Sequence, residues 1–202
     1  MVSYGNYLNN PENERSKLMR KREYLHCPFC GSWLLVKTEE GRERKYCDSC
    51  HWTYYPQMDV AVGGMAVRVN REDRDGPFQV LIVRRNREPS KDAWSFPAGF
   101  VNYGEHPETA LVREMKEETD LTVVRFNLVR MAISDDDTRS PHQLAFYYKV
   151  KVTGKIQNKD PEENSEIKWL DLDPTANIEF AWNNHRLLFE AACKEPSLFV
   201  VL

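Results

Sequence analysis

The sequence predicts an α/β sandwich behind a small metal-held ribbon, and three observations carry that reading. Two Cys-x-x-Cys pairs lie close together near the N-terminus, Cys27 with Cys30 and Cys47 with Cys50. Beyond residue 57, apolar and β-branched runs alternate with polar turns, the pattern of strands. Two stretches of helical periodicity, Pro107 to Thr119 and Ala181 to Glu195, stand among them. Strands mixed with helices over this length suit one domain of about 150 residues with an appendage. The expected divisions are an N-terminal extension over 1–23, a ribbon over 24–56 and the main domain over 57–202.

Charge and hydropathy narrow the function classes. The 28 Lys and Arg nearly balance 31 Asp and Glu, for a formal charge of −3. A general nucleic-acid coat runs far more basic, so nucleic acid is not the expected partner. No stretch approaches the ~18 apolar residues of a membrane span, and the start, MVSYGNYLNNPENERSK, has no apolar core of a signal peptide. The expectation is a cytoplasmic protein acting on a small molecule, with a homodimer left open. Residues 1–56 carry nine basic and seven acidic side chains, among them the run SKLMRKR. That asymmetry suggests a separate module and is too mild to mark a nucleic-acid site.

The ribbon comes first in the chain. Two Cys-x-x-Cys knuckles sixteen residues apart fit a structural zinc site, because each turn presents two thiolates and two turns close a tetrahedron. Pro28 inside the first knuckle and Gly31 after it supply the turn chemistry. The segment is poor in aliphatic residues, so bound metal would provide its folding free energy. The fifth cysteine, Cys193, reads as a small apolar helix residue.

In the main domain, MDVAVGGMAVRV and FQVLIVRR read as two strands around the turn NREDRDGP. VLIV is a continuous apolar run, as in a strand buried on both faces. The helix from Pro107 follows, with proline in the first turn, where its missing N–H costs least. LTVVRFNLVRMAI, LAFYYKVKV and EIKWLDL are further strands. The last helix is amphipathic, with Trp182, Arg186, Phe189 and Cys193 at helical spacing.

The chemistry concentrates between Gly99 and Leu121, GFVNYGEHPETALVREMKEETDL. At about 100° per residue, Glu114, Glu117 and Glu118 share one face of the helix, beside an apolar face of Leu111, Val112 and Met115. Converging carboxylates suit a hard cation, Mg²⁺ or Mn²⁺. A solvated acidic face balanced by Arg113 and Lys116 gives the same periodicity, so spacing alone leaves both readings open.

The whole pattern resembles the box of the Nudix family, GX5EX7REUXEEXGU with U aliphatic. Gly99, Glu105, Arg113, Glu114, Glu117 and Glu118 occupy its fixed positions, and Met115 and Leu121 its aliphatic ones. Asp120 stands where the box has glycine. The upstream WSFPAGF and downstream EIKWLDL are similar to family flanks, so the resemblance covers about residues 58–195. It implies an α/β/α sandwich with a mixed sheet, hydrolysing a nucleoside diphosphate linked to another moiety. Glu114, Glu117 and Glu118 would bind the divalent cations with the backbone carbonyl of Gly99, while Glu105 and Arg113 would tie loop to helix. Such cations neutralise a pyrophosphate and activate water. The box glycine would follow the helix in left-handed dihedrals, which aspartate tolerates at ~1 kcal/mol. Asp120 therefore bears on stability more than on activity.

Some members of the family take the water proton with a glutamate beyond the box, and DPEENSE offers Glu162, Glu163 and Glu166 without deciding among them. The tract Asp135-Asp136-Asp137 reads as a solvated loop. Trp94, Phe96, Phe100 and Tyr103 could stack a base or could be core. A zinc ribbon before such a domain is similar to the NADH pyrophosphatases, which carry SQPWPFPXS after the box; here that stretch is VRMAISDDDTRSPHQ. ADP-ribose, FAD or an NAD(H)-type dinucleotide are the expected substrates. The competing reading is a non-catalytic ligand sensor of the same fold, with the ribbon contacting nucleic acid. Intact box glutamates speak for the enzyme.

Overall fold

The computed structural model describes residues 24–69 and 77–201. The expected extension over 1–23, with its basic run, lies outside the described residues, as do positions 70–76 of the first hairpin turn. The chain divides into two compact units, Met1–Met58 and Asp59–Leu202.

In the first unit, β1 (Leu35–Glu39), β2 (Arg42–Cys47) and β3 (Trp52–Thr53) form a three-stranded antiparallel sheet. Glu40 and Gly41 join β1 to β2 with φ of 52° and 72°, the left-handed pair that a two-residue hairpin requires. Only Cys27 and Cys47 are buried among the described residues of this unit.

The second unit is built on a mixed sheet of order β10-β5-β4-β9-β8. Its strands are β4 (Val60–Val69), β5 (Phe78–Arg85), β8 (Thr122–Ser134), β9 (Gln143–Thr153) and β10 (Asn164–Asp171). Short strands β6 (Trp94–Ser95) and β7 (Ala98–Phe100) pair with β5 and β4. β4 runs parallel to β9, and the other pairs are antiparallel. Helix α1 (Pro107–Thr119) covers one face and α2 (Asn183–Lys194) the other.

Strand alternation explains the two cores. Val80 and Ile82 point to the α2 side, packing with Met65, Phe96, Leu188 and Phe189, while Leu81 joins Val62, Leu111 and Met115 under α1. The VLIV run is buried on both faces, as its composition requires. This is the α/β sandwich that the sequence predicts. No helix among the described residues is long and apolar enough to cross a membrane.

The last helix differs from expectation in start and register. Trp182 is its N-cap residue and Arg186 is exposed, while the buried face is Asn184, His185, Leu188, Phe189 and Ala192. A histidine replaces an aliphatic side chain in that stripe because the backbone N–H of Phe96 hydrogen-bonds its Nδ1 (3.0 Å). Cys193 packs half-buried on the same core.

Candidate active site and metal centre

β7 and α1 build the site together. β7 pairs Gly99 with Val62 of β4, and α1 then lies across its end. His106 caps α1, its Nδ1 accepting from Glu108 N (3.3 Å), and Pro107 follows at the first turn. A Cβ on Gly99 would stand 2.1–2.4 Å from the Glu114 carboxyl group, so only glycine lets this backbone reach the helix carboxylates. Arg113 forks onto Glu105 through Nε and Nη2, both at 2.9 Å, and Nη2 also donates to Phe100 O (3.0 Å). That bidentate pair ties the loop to α1 and holds the Glu105 carboxyl down at about 2, with Asn102 N–H helping.

The three box glutamates differ in their surroundings. Glu118 is 4% exposed; its two oxygens accept from Ala98 N and Asn164 Nδ2, each at 3.1 Å. Burial, then the neighbouring Glu163 and Glu114, push its carboxyl well above the usual carboxylate range. Glu114 accepts from Arg113 Nη1 (2.6 Å), yet burial still raises it. Glu117 is the exposed one, held by the same Nη1 at 3.1 Å. A site that raises two carboxyls by burial and mutual repulsion suits a cation, which would relieve both.

Gly99 and Glu114 open onto a cleft whose far side is cationic. Arg85, Arg87 and Arg139 line it, with Glu163, Asp137, Phe100, Trp182, Tyr147 and His185. Arg85 is almost fully buried, donates to Pro89 O (2.9 Å) and lies over the Trp182 ring at 5.1 Å. Glu163 pairs with Arg87 at 2.6 Å and Arg85 at 3.8 Å.

Of the three loop glutamates, only Glu163 enters the cleft; Glu162 and Glu166 are exposed. In the Asp135–Asp137 tract the first two side chains are exposed, as a solvated loop would have them, and Asp137 is buried, while each has a partner. Asp135 pairs with His142, and Asp136 accepts from Ser134 and from Asn183 N at the start of α2. Asp137 is buried and forks onto Arg139 at 3.1 and 2.8 Å. Burial would lift the Asp137 carboxyl, but the Arg139 bonds hold it below its ordinary value. Of the four aromatics, Phe96 is core, Tyr103 is fully exposed, Trp94 lies under Lys168, and Phe100 alone lines the cleft. Arg85, Arg139, Tyr147 and His185 carried no motif in the sequence; the signal of Arg85, Tyr147 and His185 is burial and that of Arg139 its fork onto buried Asp137, which only the fold reveals.

In the first unit, the sulfurs of Cys27, Cys30, Cys47 and Cys50 all lie within 4.8 Å of one another, with Cys30 and Cys47 at 3.5 Å. Four thiols, each able to stand about 2.3 Å from one ion, fit tetrahedral zinc. Their shared protons spread the thiols apart: Ser32 brings Cys30 to about 6, and Cys30 pushes Cys50 to about 12.

The NUDIX domain model matches residues 60–191. The chain is 30% identical over 126 residues to the ADP-ribose pyrophosphatase of Methanocaldococcus jannaschii, covering 62% of this chain and 69% of that one. It is 26% identical over 153 residues to the NAD-capped RNA hydrolase NudC of Photorhabdus laumondii subsp. laumondii, covering 75% of this chain and 53% of that one. It thus spans about half the length of that relative. The MutT NUDIX hydrolase from Burkholderia pseudomallei superposes with a TM-score of 0.57 at 26% identity, over 67% of this chain and 98% of that one. With a matching domain model over most of its length and the Gly99 backbone set against the box glutamate Glu114, the chain belongs to the NUDIX family of hydrolases.

Proposed function

We propose that this protein hydrolyses the pyrophosphate bond of a nucleoside diphosphate linked to another moiety, with ADP-ribose first among ADP-ribose, FAD and NAD(H)-type substrates. The observation that supports the reading is the close approach of the β7 backbone to the helix carboxyls, Gly99 against Glu114 and Ala98 N–H donating to Glu118, both carboxyls being raised by burial. The name of the M. jannaschii relative supports ADP-ribose.

Glu114, Glu117, Glu118 and the Gly99 carbonyl would hold Mg²⁺ or Mn²⁺, which when bound would neutralise the pyrophosphate and acidify water. Cys27, Cys30, Cys47 and Cys50 hold a structural zinc. Glu105 and Arg113 keep the loop against α1. Arg85, Arg87 and Arg139 present positive charge to the anionic substrate across the cleft. Glu163 takes the proton as water attacks phosphorus and the bridging P–O bond breaks. With ADP-ribose the products are AMP and ribose 5-phosphate.

Release of AMP from ADP-ribose in Mg²⁺, abolished by a chelator, tests the activity. Glu163→Gln is expected to lower kcat by about 10²-fold or more, within the range of one acid–base group. Glu162→Gln and Glu166→Gln should stay within a few-fold. Binding of ADP-ribose without turnover would instead favour the ligand-sensor reading.

A further inference from the structure

His185 has a ring with two different tasks. It is 2% exposed, stacked on Phe96 with centroids 5.0 Å apart and edge-on to Tyr147 at 5.4 Å. Its Nδ1 accepts from the Phe96 backbone N–H at 3.0 Å. That bond clamps the segment leading from β6 to Gly99. Burial, with the nearby Arg85 charge, brings the imidazole down to about 3, so the ring is neutral at physiological pH. A neutral ring with an occupied Nδ1 lone pair must carry its proton on Nε2.

His185 is among the residues that line the cleft, and Nε2 is the ring nitrogen left to serve it. Among the described residues, the Phe96 contact is the ring's one hydrogen bond. Gly63 leaves room beside Nε2: a Cβ there would stand 3.7 Å from Nε2 and only 2.9 Å from Tyr147 Cδ1. The cleft therefore holds a rigid, nearly buried donor with no charge. The cations around it, Arg85 and Arg87 paired with Glu163 and Arg139 with Asp137, are the groups suited to the anionic part of the substrate. A fixed uncharged donor recognises a neutral acceptor, while a phosphate is better served by guanidinium.

We propose that His185 is a specificity-determining residue whose Nε2–H hydrogen-bonds a neutral acceptor atom of the substrate outside its pyrophosphate, a sugar oxygen or a ring acceptor. This rests on the reading of the cleft as the substrate site. Leaving such a ligand acceptor unpaired is where selectivity arises, since the loss exceeds that of an exposed bond.

Two substitutions separate the two nitrogens. In His185→Asn the side-chain oxygen reaches the position of Nδ1, so the Phe96 bond survives and the cleft donor is lost. In His185→Gln the amide reaches the position of Nε2, so the donor survives and the Phe96 bond is lost. Calorimetric binding of ADP-ribose and FAD, without added divalent cation, is measured beside KM, kcat and melting temperature in Mg²⁺. His185→Asn is expected to weaken binding and raise KM about tenfold, with kcat within a few-fold and melting close to the parent. His185→Gln should melt lower and bind within a few-fold of the parent. An effect on both ligands assigns the contact to the shared adenosine half, on ADP-ribose alone to its terminal ribose, and on FAD alone to the flavin carbonyls. Equal binding by the parent and His185→Asn would overturn the proposal, as would a tenfold loss in a folded His185→Gln. Binding without turnover in the parent would overturn the hydrolase reading and leave the His185 assignment standing.

Discussion

Asp120 ends α1 with φ at 59°, in the left-handed region that the box glycine would occupy without cost. Its side chain offsets the strain, because Lys116 Nζ reaches both its carboxylate (2.7 Å) and its carbonyl (3.0 Å). That cation in the last turn also faces the negative end of the helix dipole. Relief of left-handed strain in Asp120→Gly would contribute about 0.5–1 kcal/mol, and loss of the Lys116 pair would remove about 0.3–0.5 kcal/mol. The net change in denaturant unfolding is expected within about 0.5 kcal/mol of zero, with turnover within a few-fold. A drop above 2 kcal/mol, or a large loss of activity, would mean that Asp120 does more than close the helix. The backbone state of this residue was legible from its place in the spacing. His185, Arg85 and Asp137 were not, since a polar residue in an apolar context reads as solvent-facing until its buried partner is known.

At the scale of elements, α1 is the best-read part of the chain. Pro107, the carboxylate spacing and the aliphatic stripe specify its bounds, and the helix spans Pro107–Thr119 as they require. The last helix starts two residues later than its periodicity predicts and turns a different face to the core, because its buried stripe includes a histidine satisfied from Phe96, which periodicity counts as polar. The α1 carboxylates yield a prediction with opposite effects on folding and turnover. Glu118 is ionised at neutral pH only against burial and the nearby Glu163 and Glu114. In Glu118→Gln the side-chain oxygen can still accept from Ala98 N, and a turned Asn164 amide can accept from the new NH₂. A carboxyl raised on folding opposes stability as pH climbs past its unfolded value near 4.5 toward its higher folded one. Without added metal, Glu118→Gln should therefore melt above the parent at pH 7–8, by about 2–4 °C per kcal/mol relieved. The gain should vanish below pH 4.5, where the Glu118 carboxyl holds its proton in both the folded and the unfolded chain. In Mg²⁺ its turnover should fall about 10²-fold or more. Lys116→Gln, which touches only Asp120, should lose little turnover. Normal turnover in Glu118→Gln would leave α1 an ordinary acidic surface.

At the scale of the molecule, the two units differ in what holds them together. The sheet unit buries two apolar layers, with Phe96, Met65, Leu81 and Ile82 among its fully buried side chains. The ribbon unit buries no aliphatic or aromatic side chain among its described residues; Phe29 and Trp33 are largely exposed, and only Cys27 and Cys47 are buried. Edge-on contacts of Trp52 with Tyr24 and Phe29 add little beyond local order. So small a unit cannot offset its chain entropy by burial, and a metal on its four cysteines would supply that folding free energy. Zinc at one ion per chain is the expected content of protein purified without added metal. Replacing Cys47, the most buried of the four, by serine should remove that ion and expose the segment to protease. The cuts should fall within residues 24–56, because the short strands β1–β3 have no other core to keep them closed. Mass spectrometry of the fragments and metal analysis read both effects on one sample. A metal-free Cys47→Ser chain that resists cleavage there would show that the ribbon folds on its own contacts, and that the cysteines serve something other than a structural ion.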